Sequence, residues 1–434
     1  MKTSLVLRVF LPLALGYCVA SILRSINAVI APYLVGDLDL SATELGFATS
    51  TFFLTAVLMQ IPYGVLLDRY DPRKLYAVVL FLCAFGAVVA AMADGFFMLS
   101  IGRGLVALGA GASAVTSYKV YSVWFPPERL PLANGLSLAA GGLGVLIGTT
   151  PVELALHIMD WRAVHLIVAG LILGAASLVI TVAPENKSVG KNLSLAQQFA
   201  GIGFILKSLA FWRAAPLTCM MLGTFGGVST LWTGPWVRDV AGLSGTDVTN
   251  VLLFLYVAFI VSSLLVGWMT GLAKRAGLSL MGFVASAGTL FLAVLAILSL
   301  QPSNSFAIVV LLWCLFGFLG PLNMVTFAAL AVEFPPDMTG RMNACLSVFW
   351  LGGGFVMQNI YAIVLHQFPS TGGSYAIEGH RLAMGLIALL LAGALLWFAA
   401  ATALLKKRSK QLSEGDLPIE FSPTAGASNH RGKT

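Results

Sequence analysis

A chain of 434 residues that is 58% hydrophobic and only 10% charged, with a mean hydropathy of +0.91, has too little polar surface to coat a soluble globule of its size. It belongs in a lipid bilayer. The net charge of +7 follows from the placement of loops, argued below, and gives no support to a nucleic-acid-binding function.

A helix needs about 20 apolar residues to cross the hydrocarbon core. Twelve stretches are long enough: 9–33, 44–66, 75–93, 98–124, 132–156, 162–182, 213–236, 247–270, 278–300, 306–332, 342–366 and 381–405. Backbone amides cannot stay unpaired in hydrocarbon, and the runs lack the two-residue alternation of barrel strands, so an all-α polytopic membrane protein is predicted. The first run is too long for a secretory leader and is interrupted by Arg24, so it reads as an uncleaved first helix. If both termini are cytoplasmic, most of the 25 Lys and Arg residues lie inside and only Arg162, Arg238 and Arg381 lie outside. That is the positive-inside asymmetry, and a bacterial cytoplasmic membrane is the expected location.

Phe125-Pro126-Pro127-Glu128 recurs as Phe334-Pro335-Pro336-Asp337, and each copy opens a stretch with a matching Asn, Asn134 and Asn343. The chain therefore reads as a duplication: six helices over 1–182, a cytoplasmic linker over 183–212, and six more over 213–405. The polar tail, 406–434, is expected to be disordered. Five scattered cysteines, Cys18, Cys83, Cys219, Cys314 and Cys345, show no C-x-x-C spacing and read as packing residues.

Between the second and third runs stands Gly64-Val65-Leu66-Leu67-Asp68-Arg69-Tyr70-Asp71-Pro72-Arg73-Lys74. It resembles the loop signature of the major facilitator superfamily: Gly, three residues, Asp, a basic residue, then a basic pair. The order Asp-Arg-x-x-Pro-Arg is similar to the organophosphate exchanger branch. A decayed copy, Gly267 to Gly271 followed by Lys274-Arg275, lacks the Asp. The resemblance extends over roughly residues 8–405 and implies two six-helix bundles that rock around a site near the bilayer midplane. It also implies that Asp68 caps helix 11 near Arg341 and Met342, and that Gly64 permits close approach. Arg69, Arg73 and Lys74 would reach Glu128 or Asp337 in bonds that hold the cytoplasmic gate shut. Fixing topology is the competing role, above all for Lys74.

Arg103 to Ala112 partly matches the superfamily's Arg-x-x-x-Gly pattern, with Ala107 in place of Gly. Gly141-Gly142-Leu143-Gly144 with Gly148 is similar to the glycine-rich helix of proton-linked antiporters, without its Gly-Pro pair. Close helix packing accounts for these glycines, so drug export is not inferred from them.

A charge inside the membrane costs at least about 2.5–3.5 kcal/mol on insertion scales and marks a functional candidate. Arg24 stands first, with Tyr17 and Asn27 on its face at spacings of seven and three. The run Arg24 to Leu34 resembles the first helix of organophosphate exchangers and anion:cation symporters, which implies that Arg24 holds the acid group of the substrate. A guanidinium fork suits a carboxylate or phosphate; an internal ion pair or snorkelling is the alternative. Lys119 shares a polar stripe with Ser113 and Thr116 and is the second cavity candidate, against snorkelling. Arg103 and Glu153 both lie about 31 Å above the cytoplasmic ends of helices 4 and 5, so an ion pair between them is expected. If protons drive the protein, Glu153 is the relay and release of Arg103 the coupling step.

In the second half, Gly223, Gly226, Gly227, Trp232 and Pro235 make helix 7 a flexible outer gate, Asn323 follows Pro321 in helix 10, and Gln358 and Asn359 add amide donors in helix 11. Trp232, Asn323, Gln358 and Asn359 complete the predicted substrate contacts. Trp313, Trp350 and Tyr361 read as lipid or helix packing. No second-half helix centre carries Arg or Lys, which favours a monoanionic or zwitterionic organic solute over a phosphate ester. The function that emerges is a secondary transporter of a small organic anion by rocker-switch alternating access, coupled to protons or another ion. An exporter of drugs or metabolites, a passive uniporter and a transporter-like solute sensor remain the alternatives. No nucleophile motif, metal-ligand pattern or His/Asp/Glu cluster is legible, so no enzyme, cofactor or metal is expected. The protein reads as a monomer with no nucleic-acid partner.

Overall fold

Local sequence fixes the helix starts on either side of the second span: Ser41 and Glu44 form a reciprocal capping box, and Asp71 caps a helix whose first residue is Pro72. A computed structural model describes residues 3–125, 130–185, 202–300, 305–334, 339–371 and 374–413. Among these, 12 helices are long and apolar enough to cross a membrane. Span 1 is Thr3–Ser25 continued by Asn27–Leu38, span 2 Ala42–Arg69, span 3 Pro72–Ala91, and span 4 Phe96–Trp124. Span 5 is Leu130–Ile147 continued by Thr150–Leu156, and span 6 is Trp161–Val182. Span 7 runs from Leu209–Gly227 through a π-helical turn, Val228–Trp232, into Thr233–Asp239. Spans 8 and 9 are Thr246–Arg275 and Leu280–Leu300. Span 10 is Phe306–Leu319, a 3-10 turn Gly320–Met324, and Val325–Ala331. Spans 11 and 12 are Thr339–His366 and Ile377–Ser413, joined by a hairpin of β1 (Ser370–Thr371) and β2 (Ser374–Tyr375).

The packing repeats between the halves. Span 1 packs on 5 and 6, 2 on 4, and 3 on 6; correspondingly 7 packs on 11 and 12, 8 on 10, and 9 on 12. Across the halves span 2 meets span 11 and span 5 meets span 8, again an equivalent pair. Glycines set the closest approaches: a Cβ at Gly144 would collide with the Cys18 carbonyl of span 1, and one at Gly141 would lie 2.7 Å from the Tyr17 ring. Ser25 Oγ then donates to the Val145 carbonyl at 2.9 Å.

Two sequence expectations shift. Span 7 begins at Leu209, so 209–212 are helix rather than linker, and residues 186–201 lie outside the described ones. Span 12 continues through Lys406, Lys407 and Arg408 to Ser413, because Lys, Arg, Gln and Leu are good helix formers; the rest of the predicted tail lies outside the described residues.

Candidate functional site

A cavity lies between the halves. From span 1 it takes Tyr17, Ser21 and Arg24, which fall on one face at spacings of four and three, and from span 5 Leu138, Gly141, Gly142 and Val145. Spans 7, 8, 10 and 11 close it with Leu222, Phe225, Phe259, Pro321, Met324 and Trp350. Its walls stand close together, leaving about 20 Å³ of room for water-sized molecules. Among the described residues, the one formal charge on this lining is Arg24. Its Nε is buried without a hydrogen-bond partner, and among the described residues no carboxylate forms an ion pair with it. The arrangement is a guanidinium without an acidic partner among the described residues, under an apolar and aromatic roof, chemistry that suits an anionic group.

The helix break that presents Arg24 has its own support. Span 1 is interrupted at Ile26, and the Leu23 carbonyl accepts a hydrogen bond of 2.6 Å from Arg103 Nη1. Arg103 is buried and stands 5.8 Å over the Phe52 ring. The predicted Arg103–Glu153 ion pair is not formed. Span 5 breaks at Gly148 and Thr149, and Glu153 sits in the short helix beyond, half-buried, with Tyr33 and His157 as its electrostatic neighbours.

Other predicted contacts are placed elsewhere. Asn27 is buried beyond the break and does not line the cavity. Lys119 is half-buried on span 4 and does not line it either; the hydroxyls of its stripe turn back on their own helix, Ser113 to the Gly109 carbonyl and Thr116 to that of Ala112. Asn323 is buried in the 3-10 turn with Nδ2 3.6 Å from Met221 Sδ. Trp232, Gln358 and Asn359 belong to the seam between the halves. Trp232 Nε1 donates to the Gln358 carbonyl at 3.0 Å, and its ring stacks on Tyr361 at 5.1 Å. Asn359 Nδ2 donates across the halves to Ser50 Oγ at 2.7 Å. Trp350, read from sequence as packing, lines the cavity, whereas Trp313 and Tyr361 are buried between helices.

The seam is built at the end of the bundle opposite the one bearing Arg73 and Lys74. A Cβ at Gly46 of span 2 would collide with Ala362 of span 11 and lie 3.5 Å from Trp232, and Phe53 packs on Gly354 and Gly226. Phe47 stacks edge-on against Phe355 at 6.2 Å, and Thr150 Oγ1 donates to the Thr249 carbonyl at 3.3 Å. At the basic end, Arg73 bonds to the Ile180 and Ala183 carbonyls at 3.3 and 3.1 Å and approaches Glu185 at 3.8 Å, while Lys74 meets Glu185 at 3.2 Å. These described bonds of Arg73 tie the loop to span 6 within one half. The side chains of Gly64, Asp68 and Arg69, and residues Glu128 and Asp337, lie outside the described ones.

Sequence reading missed one polar cluster at the end of span 7. Asp239 accepts from Arg238 Nε and from the Tyr375 amide, each at 3.0 Å, and faces His380 Nε2 at 3.3 Å; His380 Nδ1 lies 2.9 Å from the Tyr361 hydroxyl. Burial and the Asp239 carboxylate push the Tyr375 phenol up to about 12, so it stays protonated. Asp239 and His380 stand 141 positions apart, each at a helix end beside a loop, and nothing in their local sequence links them.

Comparison with known proteins places this architecture. The Major Facilitator Superfamily model matches residues 13–358. The chain is 23% identical over 411 residues to the "Probable sulfoacetate transporter SauU" of Cupriavidus necator, covering 88% of this chain and 93% of that protein. It is 30% identical over 151 residues to the "Hexuronate transporter" of Bacillus subtilis, but that match spans only about a third of either protein (34% and 36%). The first helix bundle and its partner superpose on a bacterial homolog of the human lysosomal transporter Spinster, solved in an inward-facing, unoccupied conformation: TM-score 0.74, 17% identity, 94% of this chain and 98% of that one. Twelve spans in two equivalent halves, a cavity between them and a family match across most of the length make one statement: this chain belongs to the Major Facilitator Superfamily of transporters, and is not an enzyme.

Proposed function

We propose that the protein is a secondary transporter of a small carboxylate- or sulfonate-bearing organic solute, held by Arg24 between two rocking halves. The observation that carries this is the Arg24 guanidinium, lining the cavity between the halves with no acidic partner among the described residues. Arg24 is half-buried with its Nε out of reach of water, and a cation inside the membrane is costly unless something neutralises it; a ligand anion does so without a permanent protein partner. Relatives named for hexuronate and sulfoacetate transport are named for small organic anions, the first with one carboxylate on a hydroxylated body and the second with a sulfonate and a carboxylate. Tyr17, Ser21 and the Trp350 indole supply hydrogen-bonding groups for that body. Both termini lie on the cytoplasmic side of a bacterial inner membrane, so the basic end faces the cytoplasm and the sealed seam faces outward. Asp68, Arg69, Glu128 and Asp337 form the gate at the cytoplasmic end, while Trp232, Gln358 and Asn359 form the outer one.

Ligand binding raises apparent stability by mass action, so a thermal-shift panel of D-glucuronate, D-galactonate, sulfoacetate and inorganic phosphate tests the assignment. Wild type is stabilised by at least one organic anion and Arg24→Ala by none. An anion that stabilises both proteins equally removes Arg24 from the site.

A further inference from the structure

The Asp239–His380 pair plays no part in holding the anion, yet its bonds lead to the seam. His380 and Asp239 side chains are 0% and 1% exposed, while Arg238 beside them is 27% exposed and gives water a route in. His380 touches the Tyr361 hydroxyl, the Tyr361 ring is stacked on Trp232 at an interplanar angle of 12°, and Trp232 together with Ala362 is what Gly46 of the other half packs against. A titratable pair is thus one phenol away from the side chain that closes the outer end.

We propose that the Asp239–His380 pair is a proton-binding site whose loading opens the seam at Gly46 and Trp232. The inference rests on the carrier reading, because it gives the bound proton a place in the transport cycle. A carboxylate oxygen facing Nε2 keeps the hydrogen on that nitrogen, so Nδ1 accepts from the Tyr361 hydroxyl. An incoming proton adds to Nδ1. The bond must then reverse, with Nδ1–H donating to the phenol oxygen and the phenol hydrogen turning to another acceptor. Gln358 Oε1, buried and without a hydrogen-bond partner one turn earlier on the same span, is an acceptor of the kind required. Reaching it disturbs the ring on which Trp232 rests.

Charge acts in the same direction. The groups facing His380 are Asp239 and Arg238 from span 7, Tyr361 from span 11 and Tyr375 from the hairpin, with Glu378 and Arg381 exposed on its own helix. Arg238 already balances Asp239, so the added proton leaves a net positive charge in a nearly dry site. Opening the seam hydrates it.

The test is the distance between the halves at the outer end, read by electron–electron double resonance on full-length protein in liposomes. Spin labels replace exposed Asp94 and Ser244 in a background with the five native cysteines removed, and no transport substrate is added. Between about pH 8 and about pH 5, where a histidine changes charge, the long-distance population of wild type is expected to rise several-fold. His380→Gln, which still donates to Asp239 but does not titrate, stays short throughout; Tyr361→Phe, which keeps the ring on Trp232 and leaves His380 to titrate but cuts the relay, widens less than wild type. A wild type without pH response, or a His380→Gln protein that widens like wild type, overturns the proposal. If His380→Gln fails to insert, Tyr361→Phe decides alone. Because no anion is present, a failure here leaves the Arg24 site standing, and loss of anion binding by wild type leaves this result standing.

Discussion

The two ends of the bundle are held by different kinds of contact. At the basic end the described ion pairs join helices of the same half: Arg73 and Lys74 with Glu185, and Arg213 with Glu333. At the opposite end the halves meet through small residues, rings and single neutral hydrogen bonds: Gly46 on Ala362, Phe53 on Gly354, Phe47 on Phe355, Asn359 to Ser50. If the halves rock as proposed, such charged pairs would keep each half rigid. Neutral contacts, worth about 0.5–1.5 kcal/mol per hydrogen bond, would on the same proposal let the seam close firmly yet part again.

That contrast can be broken by degrees. The largest effect is expected within a half: Gly144→Leu drives a side chain into the span 1 backbone at Cys18, and the protein should be lost from detergent extracts as a folded species by size-exclusion chromatography. Next is the cavity between the halves, where Arg24→Ala is expected to lower anion transport by about 10- to 100-fold, the value of a hydrogen bond to a charged group, with melting temperature almost unchanged. At the seam, Gly46→Leu collides with Ala362 and should hold that end open. A cysteine at Ser50 would then react with a membrane-impermeant thiol reagent from that side faster than in the parent. Asn359→Leu removes one cross-half bond and should speed the same labelling more modestly. Smallest is Arg73→Ala: a partly exposed ion-pair network within one half is worth about 0–1 kcal/mol, so the melting temperature should drop by a few degrees at most.

The spans were legible because hydrocarbon leaves the backbone few options, and Arg24 because a lone charge in an apolar run announces itself. Tyr17 followed from its helical spacing to Arg24, and Ser21 was within reach of the same spacing. Arg103 was misjudged for a physical reason. Depth arithmetic treats helices as straight rods, whereas span 1 breaks at Ile26 and span 5 at Gly148 and Thr149. The acceptor that Arg103 found is a main-chain carbonyl, which has no letter of its own in the sequence. Trp232, Gln358 and Asn359 carry the right chemistry for ligand contact but sit on the neighbouring face, and a π-helical turn at Val228–Trp232 rotates span 7 away from ideal helical phase. The Asp239–His380 pair needed the fold itself, since spans 7, 11 and 12 bring it together only in three dimensions.

The proposal that the Arg24 guanidinium between the halves carries an organic anion across the membrane meets its sharpest test in counterflow. Proteoliposomes of wild type and Arg24→Ala, preloaded with unlabelled D-glucuronate, D-galactonate or sulfoacetate, are given the matching labelled anion outside, with D-glucose as the uncharged control. Wild type is expected to accumulate at least one anion transiently, Arg24→Ala to do so about 10- to 100-fold more slowly, and neither to accumulate D-glucose. Equal accumulation of an anion by both proteins, or of D-glucose by wild type, would contradict it.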